Sequence, residues 1–326
     1  MESIRAETER LMGVFERLGD DQGLARAWRE LGKVLMWLGR CEAGTEALAR
    51  SLVFAERAGD RRERRQVFVW LILAYVFGPL PAEEGSRRVE ELRCDLDGGS
   101  EVEGTALIGE AAFEAMQGRF EEARRKVIAG RSIYRELGLA LDWAGSAMLS
   151  GRVELLAGDP ASAERELREG YDALERLGET GYLSTVVALL AEAVRAQGRL
   201  EEAVQLSEAS EQASAPDDFD SQGAWRSVRA QALAGQGAVP EAERLARESV
   251  ALLEPTDFLV NRAESHTSLA EVLRLAGRPK EAAAALDEAL DLYQRKGDVV
   301  SAARTRALLG ELEKPTSPAV PSESPP

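Results

Sequence analysis

Apolar residues recur along the chain at spacings of three and four, as in Leu183, Val186, Val187, Leu190 and Val194, and again in Leu269, Val272, Leu273 and Ala276. That spacing gathers side chains on one face of an α-helix, and no stretch shows the alternation of a half-buried strand. The helical runs are interrupted at regular intervals. Segments that open on Gly and reach Ala five residues later recur as GRFEEA from Gly118, GDPASA from Gly158, GRLEEA from Gly198, GAVPEA from Gly237 and GRPKEA from Gly277, with weaker copies at Gly39 and Gly78. Successive anchors lie 39 or 40 residues apart. A second series, Gly19, Gly59, Gly138, Gly178 and Gly297, runs in phase with the first, with Pro216 and Pro255 at the equivalent place. Gly enters the left-handed conformation without strain and Pro cannot continue a helix, so both series read as helix stops. Two stops per period leave two helices of about 15 to 17 residues.

Each period is therefore a helical hairpin. Acidic residues after the anchor sit in the first turn of the second helix, where the helix dipole favours them, and Pro160, Pro240 and Pro279 stand where a missing N–H is harmless. The pattern predicts an all-α, right-handed superhelix (an α-solenoid) over residues 1–313. It would hold seven hairpins, a leading helix at Ser3–Leu18 and a trailing one at Ser301–Leu312, with a core built between neighbouring units. The run Val67–Pro81 is too short to span a bilayer and reads as a buried helix. Residues 314–326, rich in Pro and Ser, read as a disordered tail. Opening in mid-unit is what a fragment of a longer protein, or a deliberate cap, would show.

Charge narrows the partners. Acidic residues number 57 against 41 basic ones, a net charge of −16, which repels phosphate backbones and anionic lipid; neither nucleic acid nor membrane is an expected partner. Cys41 and Cys94 are too few for a disulfide framework, and no apolar leader opens the chain, so a cytoplasmic location is expected.

Catalytic chemistry finds little to stand on. His266 is the single histidine, in a helical run where a packed or solvent-edge side chain is expected. No phosphate-binding loop of the Gly-x4-Gly-Lys-Ser/Thr form exists. The run Asp217-Asp218-Phe219-Asp220 lacks the Gly and Glu of a calcium loop and reads as helix capping. Gly98, Gly99 and Gly104 read as a loop. Arg61, Arg62, Arg64 and Arg65 open a helix against its dipole and read as a solvated face answering acidic neighbours. Neither an enzyme activity nor a cofactor nor a metal is expected.

Trp28, Leu31, Gly32 and Leu35 resemble the first-helix signature of the tetratricopeptide repeat, with Leu in place of its Tyr, and the Gly-to-Ala turn resembles that family's second landmark. Ser150-Gly151, Leu190-Ala191 and Leu269-Ala270 fall at the Leu-Gly place in later units, and Ala289 at the small position of a second helix. The period of about 40 exceeds the family's 34. Residues from about Ala106 to Leu309 also resemble the C-terminal repeat regions of bacterial proteins that carry a nucleotide cyclase and an ATPase module.

The resemblance implies a concave groove lined by four positions of each first helix. In the first two units these fall on Arg26, Arg29, Lys33 and Met36, and on Arg65, Phe68, Ile72 and Tyr75. The central units contribute Thr105, Ile108, Met148, Arg152 and Leu155, and later ones Glu192, Arg195, Glu264, Glu271 and Arg274. The implied function is a non-catalytic scaffold for protein–protein interaction, or the sensor arm of a signalling system. It would bind a protein or an acidic or carboxylate-ended peptide, with an ATPase or cyclase module upstream. The alternative is a superhelix that senses a small-molecule effector in its curve.

Overall fold

The computed structural model describes residues 2–96 and 99–313, and all its regular elements are α-helices. The tail expected over 314–326 lies outside the described residues. A leading helix α1 (Glu2–Leu18) precedes the pairs α2 (Asp21–Trp37) with α3 (Cys41–Arg57), α4 (Arg61–Phe77) with α5 (Ala82–Asp95), and α6 (Ser100–Met116) with α7 (Phe120–Glu136). Next come α8 (Ala140–Gly145) and α9 (Ala147–Ala157), which share the partner α10 (Pro160–Leu177). The pairs α11 (Leu183–Ala196) with α12 (Leu200–Ala213), α13 (Phe219–Gly235) with α14 (Val239–Leu253), and α15 (Leu259–Leu275) with α16 (Pro279–Lys296) follow, and then α17 (Val299–Leu312). Stacked in chain order, they form a right-handed superhelix.

The breakers act as their chemistry dictates. Among the described residues eleven glycines have positive φ, and each is one of the stops marked above. Gly78 is the anchor that departs: its backbone is extended at φ −79° and ψ −170°, because Pro79 bars the helical region to the residue before it. A linker, Gly78–Pro81, replaces the short turn there. Where Asp follows Gly, the carboxylate caps the next helix: Asp20 accepts from the Gly23 N–H at 2.9 Å, Asp60 from Glu63 at 3.0 Å and Asp298 from Ser301 at 2.9 Å. Each such cap contributes about 1 kcal/mol.

Two local expectations need correction. Gly104 is inside α6, buried, where a Cβ would come within 3.1 Å of the Tyr134 ring; packing, not a loop, explains it. The fourth unit's first helix is broken in two at Ser146, whose hydroxyl donates to the Trp143 carbonyl at 2.7 Å, a Gly-Ser pair being a frequent site of helix breaks.

Within a hairpin the two helices cross at small residues. A Cβ on Gly32 would lie 2.7 Å from Leu48, so the Leu-Gly place of the repeat is a point of contact between α2 and α3. Second helices are also tied to first helices by a recurring bond. Ser51 Oγ donates to the Ala25 carbonyl at 2.7 Å, Ser210 to Ser184 at 2.8 Å and Ser249 to Gly223 at 3.0 Å, always 26 residues back. Each supplies a partner to a buried hydroxyl.

Packing is not confined to neighbouring units. The C-terminal hairpins fold back onto the rim of the N-terminal ones and close the superhelix. The Asp257 carboxylate accepts from the Cys41 and Glu42 N–H groups at 2.6 and 2.8 Å, capping α3 from a distant unit, while the Asp257 N–H donates to the Gly39 carbonyl at 2.9 Å. Lys296, with no exposed surface, donates to the carbonyls of Tyr75, Gly78 and Leu80 at 2.5, 3.0 and 2.7 Å, where α4 ends. Gln117 Nε2 donates to the Gly297 carbonyl at 2.7 Å, and Arg304 Nη2 to Leu156 at 2.6 Å. These contacts explain α4. Residues 71–77 are buried without interruption, as expected of a helix covered on every side.

Closure makes two similar glycines unequal. Gly39 and Gly59 both have φ near +66° (67° and 65°), but a Cβ on Gly39 would come within 2.4 Å of Thr256 in the distant hairpin, whereas one on Gly59 meets nothing within 4 Å. Gly59→Ala should cost about 1–2 kcal/mol, the strain of the left-handed backbone alone. Gly39→Ala should cost at least about 1 kcal/mol more and enlarge the radius of gyration, since the clash is relieved only by parting the two ends. Urea unfolding and small-angle scattering check both; equal losses would mean the ends do not meet in solution.

Candidate functional site

Closure turns the concave surface into two cavities. The first, of about 560 Å³, lies among α9, α11, α13, α15 and α17. Its apolar wall includes Phe77, Leu155, Leu189, Val228 and Leu308, and its polar lining comes from Arg152, Arg195, Glu192, Glu264, Glu271 and Asn261. The second, of about 570 Å³, lies among α2, α4, α6, the α8–α9 break and the start of α13. Trp37, Trp70, Met36, Ile72, Ile108 and Met148 give it an apolar body. Lys33 and Arg29 mark one part of its lining, Asp142, Asp218 and Asp220 another.

The groove residues read from the repeat register divide accordingly. Arg29, Lys33, Met36, Ile72 and Met148 line the second cavity, with Thr105 and Ile108. Arg152 and Leu155 line the first, with Glu192, Arg195, Glu264 and Glu271. Phe68 and Tyr75 line neither: both are buried, at 1% and 9% exposure, in the hydrophobic core. Arg26 and Arg65 also lie outside both linings, the former 4.0 Å from Asp60 and the latter 3.2 Å from Glu101.

The basic stretch is neutralised in place. Arg29 pairs with Glu63 and Glu30, each at 2.6 Å, and Lys33 with Glu30 at 3.0 Å. Lys33 Nζ also sits 5.5 and 5.2 Å from the centroids of Trp37 and Trp70, which meet edge to face. In the first cavity Arg152 bonds Glu264 at 2.7 Å and lies over the Phe77 ring, while Arg195 takes Glu192 through two nitrogens at 2.7 and 2.8 Å. The residues missed in the sequence are acceptors. Asp218 does cap Ser221, at 3.3 Å, yet it also lines the second cavity, as does Asp220, two residues on. Asn261, 4% exposed, lines the first cavity; its Nδ2 donates to Asp220, and its Oδ1 has no donor. His266 lines neither cavity; it is half-buried, 3.9 Å from Glu254, and burial lowers its pKa.

Two models of the tetratricopeptide repeat match the sequence, over residues 220–295 and 185–209. The chain carries tetratricopeptide repeats. None of the curated proteins matches it. Among solved structures it is similar to NprR in complex with its cognate peptide NprX, at 14% identity over 77% of this chain and 72% of that one, with a TM-score of 0.59. It is similar to a Rap protein complexed with Competence and Sporulation Factor, at 11% identity over 90% and 85% of the two chains, with a TM-score of 0.56. A signal-transduction ATPase with a tetratricopeptide repeat sensor, from Pyrococcus horikoshii, matches at 13% identity over 82% of this chain and 43% of that one, with a TM-score of 0.47. Among the described residues no helix is long and apolar enough to cross a membrane.

Asp220 is the most perturbed of the lining carboxylates. Burial, then Asp218, push its pKa up to about 6 against the pull of Arg152 and the bonds from Asn261 and Thr185. Burial also raises Asp218 and Asp142. Because the folded state holds the Asp220 proton more tightly than the unfolded chain, its contribution to stability is fully present below about pH 4 and is lost as pH rises through 6. Asp220→Asn should therefore stabilise the fold by about 1–2 kcal/mol above pH 6 and leave it unchanged near pH 4. Urea titrations of both proteins at the two pH values test this, and a variant weaker at both would show that the carboxylate is net stabilising.

Proposed function

We propose that this chain is a non-catalytic interaction protein that seats a peptide, or a segment of a partner protein, inside its superhelix. We further propose that it serves as the sensor arm of a signalling system built on an ATPase or cyclase module. The observation that carries the first reading is the pair of cavities lined by first-helix residues from most of the repeats. A ligand there would touch many units at once, so its binding would bear on the closure of the whole array. NprR and Rap, each solved with a peptide or factor, share this fold and lend support. The sensor-arm reading rests on the resemblance of residues 106–309 to repeat regions of cyclase and ATPase proteins.

The size of the cavities favours a second reading. At about 560 and 570 Å³ each lies within the range of about 300–1,000 Å³ typical of small-molecule sites, so a metabolite effector fits as well as a short peptide. The non-catalytic reading is supported by the position of His266 away from both cavities. An acidic partner gains less support, since Arg29, Lys33 and Arg65 each already face a carboxylate.

Affinity selection from a random peptide pool tests the reading. Val69→Arg in the second cavity and Leu155→Arg in the first should each reduce peptide retention about tenfold or more by filling lined space with an immobile charge. Ile128→Arg, on an outer helix and 70% exposed, should leave retention unchanged. Retention lost with Ile128→Arg and kept in the cavity variants would place the binding surface outside. No retained peptide, together with a rise in Tm from a metabolite set, would favour the effector.

A further inference from the structure

Carboxylates outnumber cations along both cavities, and the unpaired side-chain atoms of the first lining include one donor, Arg152 Nε, and one acceptor, Asn261 Oδ1. In the first cavity the cations are already engaged: Arg152 by Glu264, Arg195 by Glu192 and, at 3.5 Å, by Glu271, and Arg304 by the carbonyls of Leu155 and Leu156. The lining carboxylates Glu192, Glu264, Glu271 and Asp298 outnumber these three arginines. In the second cavity Asp142, Glu179, Asp218 and Asp220 outnumber Arg29 and Lys33, both of which are held by glutamates.

Between the two cavities stands a shared wall. Asp220, lining the second, accepts from the Nδ2 of Asn261, lining the first; its other oxygen has only Thr185 Oγ1, at 3.4 Å. Ionised Asp220 fixes the Asn261 amide with its nitrogen towards the carboxylate. That leaves Asn261 Oδ1, on a side chain 96% buried by its 4% exposure, as an acceptor without a donor. A buried acceptor left unpaired costs about 1–3 kcal/mol, and it is retained most readily where a ligand completes it.

We infer that the interior binds a cationic peptide segment, with a Lys or Arg side chain donating to Asn261 Oδ1 at the Asp220–Asn261 wall. The chemistry matches at both ends of such a side chain. The charged head meets a carboxylate excess and an open acceptor, forming charge-assisted bonds out of bulk water. The aliphatic stem lies along Phe77, Leu155, Val228 and Leu308, as long basic side chains do on apolar walls. The net charge of −16 draws such a segment in. The inference deepens the proposed interior site and rests on it, while reversing the charge of partner that the Arg26, Arg29 and Lys33 stretch suggests.

The probes are two acetylated and amidated pentapeptides, Ala-Leu-Lys-Leu-Ala and Ala-Leu-Glu-Leu-Ala, titrated calorimetrically into the full chain at pH 7.5. The Lys peptide should bind at least about tenfold more tightly than the Glu peptide, and weaken with added salt. Asn261→Leu should reduce its affinity about tenfold. Because that position is buried, Glu264→Gln, at a side chain 44% exposed, serves as a second variant: Gln keeps an acceptor for Arg152, and binding should weaken several-fold while the circular-dichroism spectrum stays that of the folded chain. Equal or tighter binding of the Glu peptide overturns the cationic preference and leaves the interior-site reading intact. Failure of both peptides to bind, or full affinity in both variants, overturns the inference; the interior-site reading falls only if the peptide-pool selection also fails.

Discussion

The structure depends on the seating of the C-terminal hairpins against the end of α4. A solenoid whose units touch only their neighbours has an open inner face, and its first helices need just one apolar side. Here α4 presents apolar residues all round over 71–77, and an exposed half would leave several large side chains in water. Lys296 completes the arrangement. Its ammonium takes three carbonyls at a helix C-terminus, where a positive charge is favoured by the dipole and the carbonyls lack helical partners. Burial works the other way, drawing the Lys296 pKa down to about 7. Of the three acceptors, Tyr75 belongs to the last turn of α4, and Gly78 and Leu80 to a linker that Pro79 and Pro81 deny a regular turn.

Closure changes what the inner surface can be. In an open superhelix the inner positions would face bulk water, where isolated ion pairs such as Arg152–Glu264 contribute little. In the closed one they border cavities of a few hundred cubic ångströms, water is limited, and each charge must find its partner within the wall. Glu30 and Glu63 hold Arg29, and Glu192 holds Arg195 through two nitrogens. The arginines are thus structural parts of the lining, and recognition falls to groups that remain open.

Much of the fold was legible in the sequence because it is written by strong local signals. Gly-Asp pairs, proline at the first turn and an unvarying period determine where helices begin and end, and these depend on backbone conformation a few residues away. The exceptions are instructive. Gly78 failed as a turn because Pro79 overrides it, and the break at Ser146 depends on a hydroxyl bonding its own helix, which a Gly-Ser pair signals only weakly. Closure was not legible from periodicity at all, since a period describes a unit and its neighbour. The signal that did carry it was the unrelieved apolar run after Val67, which reads correctly as a buried helix without saying what buries it.

The candidate site divides along the same line. Arg29, Lys33, Met36, Ile72, Met148, Arg152 and Leu155, which the resemblance to the repeat family implied as groove positions, lie on cavity linings, because the inward face of a first helix recurs from unit to unit. The resemblance misjudged Phe68 and Tyr75, which are buried in the core, and it offered Arg29 to an acidic partner although Glu63, a unit further on, already holds it. Asp220 was hidden for a different reason. Its neighbour Asp218 is a true helix cap, and a run of aspartates before a helix is explained well enough by capping that the second carboxylate raises no question. Its bond to Asn261, 41 residues later, and its place on the cavity lining show that the run does more than cap a helix. A single repeat period separates the two residues, so the stacking of adjacent units, the most regular feature of the sequence, is also what assembles the least predictable part of the site.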